Sequence, residues 1–286
     1  MENKIKQGST HTFPLPPKNN NKPSFKKWIK YIWTGLAAVV LGIAFLFFAI
    51  SQGFLGDMPE VQELENPDIY VASEIISSDG VQLGKFEKEK TIPITYKDLP
   101  QHLIYALQAK EDERFREHSG IDMKSIARAI RYGGARGGGS TITQQLAKLL
   151  FTGNASQNKI QRAFQKLKEW VVAVSLEKRY TKEEIVTLYF NKFDFLHNAN
   201  GIELASKIYF NKSAKDLNLS EAATFVAMLE NPRRNNPIRN MDRAIKRRNV
   251  VLDQMLETGY IDQATHDKVV EEPITVDFHP VENVSD

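Results

Sequence analysis

The residues best suited to chemistry lie in the segment 111–118, where Glu111 precedes Phe115 by four residues and His118 by seven. The apolar spacing of Leu103–Glu117 predicts a helix, and on a helix these three positions share one face. A carboxyl group that is partly desolvated beside an aromatic ring has a raised pKa, as a general base requires. The alternative is a solvated acidic helix end, which is the commoner meaning of a Glu-Asp pair there.

A second group of candidates follows five glycines within residues 133–139. Ser140 is predicted to cap a helix that runs to about Phe151. Free N–H groups and the helix dipole at such a junction favour a phosphate. Gly134 and Gly139 have the Walker spacing, but Ser140 stands where that motif needs lysine. A flexible hinge is the alternative, and it is weakened by the hydrogen-bonding side chains that follow: Thr141, Thr143, Gln144 and Gln145.

A third group, Lys166, Lys168 and Glu169, lies on a long amphipathic helix predicted over Asn158–Glu177. Lys166 and Glu169 are three residues apart, so a surface ion pair is one interpretation. The other is a second carboxylate beside cations that hold a pyrophosphate leaving group. The residues by themselves favour the surface pair.

Composition excludes several classes of function. The chain has 286 residues and no cysteine, which excludes disulfides, thiolate metal sites and cysteine nucleophiles. Its six histidines have no metal-ligand spacing. The net charge is +3, but residues 1–30 carry seven lysines against one glutamate, so the remainder carries −3. A nucleic-acid partner is therefore not expected, because the basic excess is confined to a short tail.

The segment from Tyr31 to Ile50 contains 20 residues without a charged side chain, enough to cross about 30 Å of hydrocarbon. The lysines that precede it place the N-terminus in the cytoplasm and the rest of the chain outside, in the periplasm. A cleaved signal peptide is the alternative, although no clear cleavage site follows.

The remaining chain is predicted to be mainly α, with a small β element near the membrane. Residues 1–27 resemble a disordered tail, and Glu74–Glu87 predicts a hairpin that turns at Ser78-Asp79-Gly80. Thr181 and Glu184 form a capping box. Ser220 is predicted to cap 221–229, and the helix 242–258 ends at Gly259.

These motifs resemble the lysozyme-like glycosyltransferases that polymerise lipid II, which occur as monofunctional transglycosylases and as the N-terminal half of class A penicillin-binding proteins. The resemblance runs from about Met58 to Ile274. Its motifs are Glu-Asp-x-x-Phe-x-x-His-x-Gly at 111–120, Gly-Gly-Ser-Thr-Ile-Thr-Gln-Gln-Leu at 138–146, Lys-x-x-Glu at 166–169 and Lys-x-Glu-Ile-x-x-x-Tyr-x-Asn at 182–191.

The resemblance implies a bilobal, lysozyme-like helical domain and assigns roles to the candidates. Glu111 would be the general base and Glu169 the second catalytic carboxylate near the leaving group. The cations and the loop before Ser140 would stabilise the pyrophosphate. Residues 121–137 resemble a mobile jaw that touches the bilayer. The expected substrate-binding residues are Asp112, Phe115, His118, Ser140, Thr141, Thr143, Gln144, Gln145, Lys148, Lys166 and Lys168.

The same resemblance implies the setting of the protein: lipid II and the nascent glycan strand as substrates, the bacterial inner membrane, and transpeptidase or other cell-wall synthesis partners. No cofactor is expected to be required, although some members use Mg²⁺ or Mn²⁺. The expected organisation is a basic tail (1–28), a transmembrane helix (29–51), a linker with the hairpin (52–96), the glycosyltransferase domain (97–273) and a tail or truncated linker (274–286).

The sequence departs from the family pattern at three places. Gln165 precedes Lys166 where arginine is usual, Thr187 replaces a glutamate, and 193–198 replaces a loop that usually contains glycine. Two other hypotheses stay open: a lytic glycan hydrolase of similar fold, and an inactive membrane scaffold. The chain could equally be a monofunctional enzyme or a truncated bifunctional one.

Overall fold

The computed structural model describes residues 25–54, 73–79, 82–86, 91–133, 138–153 and 158–280. The chain divides into two compact units, Met1–Phe48 and Ala49–Asp286. Most of the predicted tail, residues 1–24, lies outside the described residues. The described part is mainly helical, which confirms the predicted fold class.

The first helix, α1, spans Phe25–Ser51. Within it Lys26–Ile50 has a mean hydropathy of 2.3 and is long and apolar enough to cross a membrane. Apolar side chains along it are mostly exposed, for example Ile32 at 65% and Phe45 at 71%. Such exposure in water would be costly, so an apolar surrounding is the consistent environment for this helix.

A two-stranded antiparallel sheet forms the predicted hairpin. Strand β1 (Ser73–Ile76) pairs with β2 (Gln82–Phe86), and the register joins Ser73 to Phe86. The register slips between Ile75 and Ile76, as a β-bulge does. Glu87, the predicted end of the hairpin, and Gly80, the last residue of its predicted turn, lie outside the described residues.

Nine helices follow in the described part of the second unit, with 3₁₀ turns at Tyr96–Asp98 and Ala214–Asp216. A π-helical turn, Lys148–Thr152, directly continues α4. The helices are α2 (Gln101–Glu111), α3 (Met123–Arg131), α4 (Ile142–Ala147), α5 (Lys159–Glu177), α6 (Lys182–Lys192), α7 (Ile202–Phe210), α8 (Leu219–Glu230), α9 (Met241–Glu257) and α10 (Gln263–Glu271).

The core is organised around α8, in which every residue from Ser220 to Leu229 is buried. Helices α2 and α9 pack against it, while α4 packs against α5 and α6. Phe225 of α8 contacts the rings of Phe195, Tyr209 and Phe210 edge-on, with centroids 5.1–5.7 Å apart. The cores beneath α2 and α4 therefore fix the two segments that carry the candidate motifs.

Side chains at the helix ends decide where several helices begin. The capping box of Thr181 and Glu184 is confirmed. The caps predicted at Ser140 and Ser220 are wrong by one or two residues. Thr141 and Asn218 cap those helices instead.

Neither serine caps its helix, for the same reason: each hydroxyl is engaged by a cationic side chain from another helix. The Ser140 hydroxyl accepts from the Lys166 ammonium group. The Ser220 hydroxyl accepts from the buried Arg248 guanidinium group.

The helix predicted over Leu103–Glu117 is also too long, because α2 ends at Glu111. Asp112 leaves the helical region, with φ −160° and ψ 76°, and turns follow to Gly120. Glu111, Phe115 and His118 therefore do not share one helix face. The Asp112 carboxylate bonds to another helix, and this contact draws the chain out of the helix.

A left-handed turn at 196–198 replaces the expected glycine loop. Leu196, His197 and Asn198 have φ values of 68°, 55° and 61°, a backbone that glycine adopts more easily. The His197 ring packs edge-on against Tyr209 and Phe278, with centroids 5.9 and 5.2 Å away. Aromatic packing thus accompanies a turn that lacks glycine.

Gly120 lies where two segments meet most closely. Its φ is +90°, and a Cβ there would lie 2.9 Å from the backbone C and O of Ala173 in α5. Gly259, which ends α9 as predicted, has a similar φ of +76° but no atom within 4 Å of such a Cβ. A side chain at Gly259 would therefore introduce backbone strain alone, whereas a side chain at Gly120 would add a steric clash.

We expect Gly120→Ala to lower the free energy of unfolding by about 2–5 kcal/mol, since overpacking adds to the left-handed strain. Gly259→Ala, which has the strain alone, should cost about 1–2 kcal/mol. Urea unfolding of the full chain in detergent measures both. Equal losses would contradict the close packing of Gly120 on α5.

Candidate active site

A cavity of about 1160 Å³ opens between the end of α2, helix α5 and the α8–α9 pair. Glu111 and Glu169 both line it. The cationic side chains along its walls include Lys148, Arg162 and Lys166. A cavity of this size that is lined mainly by charged and polar side chains suits a polar ligand rather than an apolar one.

Glu111 is the last residue of α2, and its side chain is partly buried. Gln145 Nε2 donates a hydrogen bond of 2.7 Å to Glu111 Oε2. Burial raises the pKa of the Glu111 carboxyl above its ordinary value, while the bond from Gln145 and the charge of Lys110 oppose this in part. A carboxylate held in this state is a stronger proton acceptor than one in water.

The adjacent Asp112 carboxylate joins the first two motifs. It is almost fully buried and accepts the backbone N–H of Ile142 at 3.1 Å, in the first turn of α4. It also accepts from His118 Nε2 at 2.9 and 3.0 Å. Because His118 Nδ1 accepts the Gly120 N–H at 3.2 Å, the ring proton belongs on Nε2.

Gly120 completes the junction from the other side. Its carbonyl oxygen accepts from the Thr141 hydroxyl at 2.8 Å and from Gln144 Nε2 at 3.0 Å. Together with the Asp112–Ile142 bond, these contacts fix the start of α4 beside the end of α2. The two motifs thus form one rigid corner of the cavity.

The basic wall of the cavity is built around Lys166. Its Nζ donates to Glu169 Oε2 at 2.8 Å and to Ser140 Oγ at 3.0 Å. The predicted ion pair is therefore present, but it lies in the cavity rather than on an outer surface. Lys148 is exposed in the same cavity, at the start of the π-helical turn.

The structure brings six of the eleven predicted substrate-binding residues to the cavity: Asp112, Ser140, Gln144, Gln145, Lys148 and Lys166. The other five do not line it. Thr143 donates to the Glu177 carboxylate, Thr141 caps α4 and His118 bonds to Asp112. Phe115 is fully buried, and Lys168 lies on α5 outside the lining.

The fourth motif supplies contacts that sequence reasoning missed. Lys182 donates to the His118 carbonyl at 2.7 Å and lies 4.3 Å from the centre of the Phe115 ring. The fully buried Tyr189 donates from its hydroxyl to Gln145 Oε1 at 3.0 Å. The sequence showed the motif itself, but it did not show which distant residues these side chains contact.

Among the described residues, no three His, Asp or Glu side chains gather in a way that could hold a metal ion. The Glu169 carboxylate is occupied by the Lys166 ammonium group. Mg²⁺ commonly binds through only one or two carboxylates together with substrate phosphates, so the use of Mg²⁺ or Mn²⁺ stays a prediction.

Comparison with known proteins identifies the family of this chain. The profile of the transglycosylase family matches residues 79–256, more than half of the chain. The chain belongs to the transglycosylase family. This match confirms the family that the motifs predicted, and with it a transglycosylase as the enzyme class.

Curated relatives support the assignment. Penicillin-binding protein 1A of Pseudomonas aeruginosa is 36% identical over 256 residues, which cover 88% of this chain and 30% of that protein. Penicillin-binding protein 1A of Escherichia coli is 34% identical over 260 residues, covering 90% and 30%. The chain thus spans less than a third of the length of these relatives.

A crystal structure of penicillin-binding protein 1A from Haemophilus influenzae covers 74% of this transglycosylase chain and 22% of its own. The identity is 24% and the TM-score 0.42, a likeness too weak to bear on the site.

The departures from the family pattern have local explanations. Gln165 lines the cavity, and so does Arg162, one turn earlier on α5. Thr187 donates to the carbonyl of Glu183 in its own helix at 2.8 Å, outside the cavity lining. The replaced cation thus has a neighbouring cation in the same cavity, and Thr187 is a local helix feature.

We expect Asp112→Asn to lower the free energy of unfolding by about 1–3 kcal/mol, since one buried donor would then face an amide N–H₂. His118 cannot relieve this by exchanging its ring proton, because Nδ1 must accept from Gly120. Thermal or urea unfolding in detergent measures the loss, with the exposed Asp242→Asn as the control. Equal stability of the two variants would contradict the role of Asp112 at this corner.

Proposed function

We propose that this domain polymerises lipid II into β-1,4-linked glycan strands and releases undecaprenyl pyrophosphate. The observation that carries the proposal is the position of Glu111, a partly buried carboxylate whose pKa is raised, in one cavity with Lys148 and Lys166. Family membership supports glycosyl transfer in general, and the cavity supports this lipid-linked form of it.

In the proposed reaction, the Glu111 carboxylate accepts the proton of the acceptor sugar's 4-hydroxyl. The oxygen then attacks the anomeric carbon of the growing chain. The bond from that carbon to the pyrophosphate oxygen breaks, its electron pair leaves with the undecaprenyl pyrophosphate, and the configuration inverts. Proton removal by a positioned base is typically worth about 10²–10⁴-fold in rate.

The leaving group would gain negative charge as the bond breaks. The Lys166 ammonium, which Glu169 and Ser140 hold by hydrogen bonds, is preorganised to receive that charge. Lys148 and Arg162 line the same cavity and add positive charge. Glu169, the proposed second catalytic carboxylate, would act near the leaving group while fixing the Lys166 side chain.

We also propose that α1 anchors the chain in the inner membrane, with its lysine-rich start in the cytoplasm and the domain in the periplasm. The composition of Lys26–Ile50 supports the anchor. Met123 and Ile130 of α3 are 67% and 78% exposed, consistent with the bilayer contact predicted for 121–137. Residues 134–137 of that segment lie outside the described residues.

We expect Glu111→Gln to reduce the rate of glycan-strand formation from lipid II by at least about 100-fold while the chain stays folded. Glu117→Gln is the matched control, since Glu117 is exposed in the same segment and does not line the cavity. Gel separation of glycan products, run with and without divalent metal, measures the rate. Unchanged rate and product length in Glu111→Gln would overturn the proposal.

The two alternatives have their own outcomes. Release of soluble muropeptides from purified sacculi would support a lytic hydrolase. Normal cell-wall function of a Glu111→Gln/Glu169→Gln double variant would support an inactive scaffold. The cations of the cavity favour the transferase, because hydrolysis of a glycan releases no pyrophosphate.

For the basic wall, we expect Lys166→Met to lower kcat by about 100–1000-fold, the range for losing one preorganised transition-state contact. Lys168→Met should change kcat less than about twofold, because Lys168 lies outside the cavity lining. Steady-state polymerisation of lipid II measures both variants. Equal losses would show that proximity to the cavity does not decide the role of these lysines.

A further inference from the structure

Tyr189 is a buried residue in the cavity lining, and its hydroxyl contacts Gln145, the side chain that donates to Glu111. Tyr189 is 1% exposed and donates to Gln145 Oε1 at 3.0 Å. Gln145 Nε2 donates to Glu111 Oε2 at 2.7 Å. The hydroxyl, the amide and the carboxylate thus form one directed chain of hydrogen bonds.

We propose that Tyr189 is a positioning residue that locks the Gln145 amide in the one orientation that favours Glu111 as a base. A side-chain amide presents N–H₂ on one side and a carbonyl oxygen on the other. Tyr189 donates to the oxygen side. A phenol can also accept, but if the amide turned, the buried Tyr189 proton would lose this acceptor, which favours the orientation with the N–H₂ side towards the carboxylate. This inference rests on the proposed role of Glu111 as the general base.

The lock matters because the two protonation states of Glu111 prefer opposite amide orientations. A carboxylate anion accepts from the N–H₂ group, whereas a protonated carboxyl can donate to the amide oxygen. A free amide could rotate and serve either state. By donating to the oxygen, Tyr189 stabilises the orientation in which the N–H₂ group faces Glu111, and so favours the ionised base.

Tyr189 is suited to this task across the working pH range. Burial, together with the charge of Glu111, raises its pKa well above the ordinary value, so it remains a phenol that donates. Burial also raises the pKa of Glu111, and the bond from Gln145 opposes that rise. The lock therefore limits how far burial can push Glu111 towards its protonated, inactive form.

The other charged groups around Glu111 are the same in wild type and variant. Lys110 lowers its pKa, while Glu230 of α8 and Asp112 raise it. The remaining charged residues that line the cavity are Glu113, Arg128, Lys148, Lys159, Arg162, Lys166, Glu169, Arg247 and Glu257.

The test is the pH profile of lipid II polymerisation by the full chain in detergent. The base must be ionised, so activity rises with pH through the pKa of Glu111. In Tyr189→Phe the acid limb should move up by about 0.5–1 pH unit, which below the limb is a loss of about 3–10-fold. At alkaline pH the rate should approach that of wild type.

Two further variants separate positioning from a structural effect. Gln145→Met removes the donor to Glu111 and should move the limb at least as far. Tyr189→Phe/Gln145→Met should move it no further than Gln145→Met alone, because both changes act through one amide. Tyr209→Phe is the matched control, since that buried hydroxyl donates to the Phe195 carbonyl, outside the cavity.

An acid limb of Tyr189→Phe that coincides with wild type, while that of Gln145→Met moves, would overturn the lock. A pH-independent loss in Tyr189→Phe, or a limb shift equal to that of Tyr209→Phe, would also overturn it. Failure of the proposed function is distinguishable, since wild type would then form no glycan strands at any pH.

Discussion

The rest of the cavity is arranged around one hydrogen bond, in which the buried Asp112 carboxylate accepts from the backbone N–H of Ile142. It ends α2 at Glu111 and fixes the first turn of α4 beside it. A buried carboxylate is tolerated only when its oxygens are satisfied, and His118 supplies the other donor. Gly120 then closes the corner by accepting from α4. The base and its neighbours on α4 are thus placed by one satisfied polar network.

This network explains why a set of polar residues can be important without touching a substrate. Thr141, Thr143 and His118 use their polar atoms within the protein, and Phe115 lies beneath the Lys182 ammonium group. They hold the backbone of the corner. Positioning of this kind is needed because a base misplaced by about 1 Å can lose a large part of its effect. Several residues of the motifs therefore hold the backbone of the site, and only the others line the cavity.

Local signals in the sequence were enough for most of the architecture. The uncharged stretch after the lysines, the Thr181–Glu184 capping box and Gly259 each predicted an element that the structure contains. The errors arose where a distant partner competed with a local rule. Arg248 and Lys166 engage the serines that would have been caps. Periodicity alone could not place the end of α2, nor could it reveal the contact between Tyr189 and Gln145, because both depend on residues about 30–45 positions away in the chain.

Because α2 ends at Glu111, the backbone of the helix affects the proton affinity of this carboxylate. The last turn of a helix carries partial negative charge from carbonyl groups that have no partner within the helix. An anionic side chain is disfavoured there and favoured at the opposite end. At the start of a helix, the ionised form of a carboxylate is stabilised, so such a carboxylate is a weaker proton acceptor. By ending the helix at this residue, the fold adds a contribution of backbone dipoles to the greater proton affinity that burial gives the same side chain.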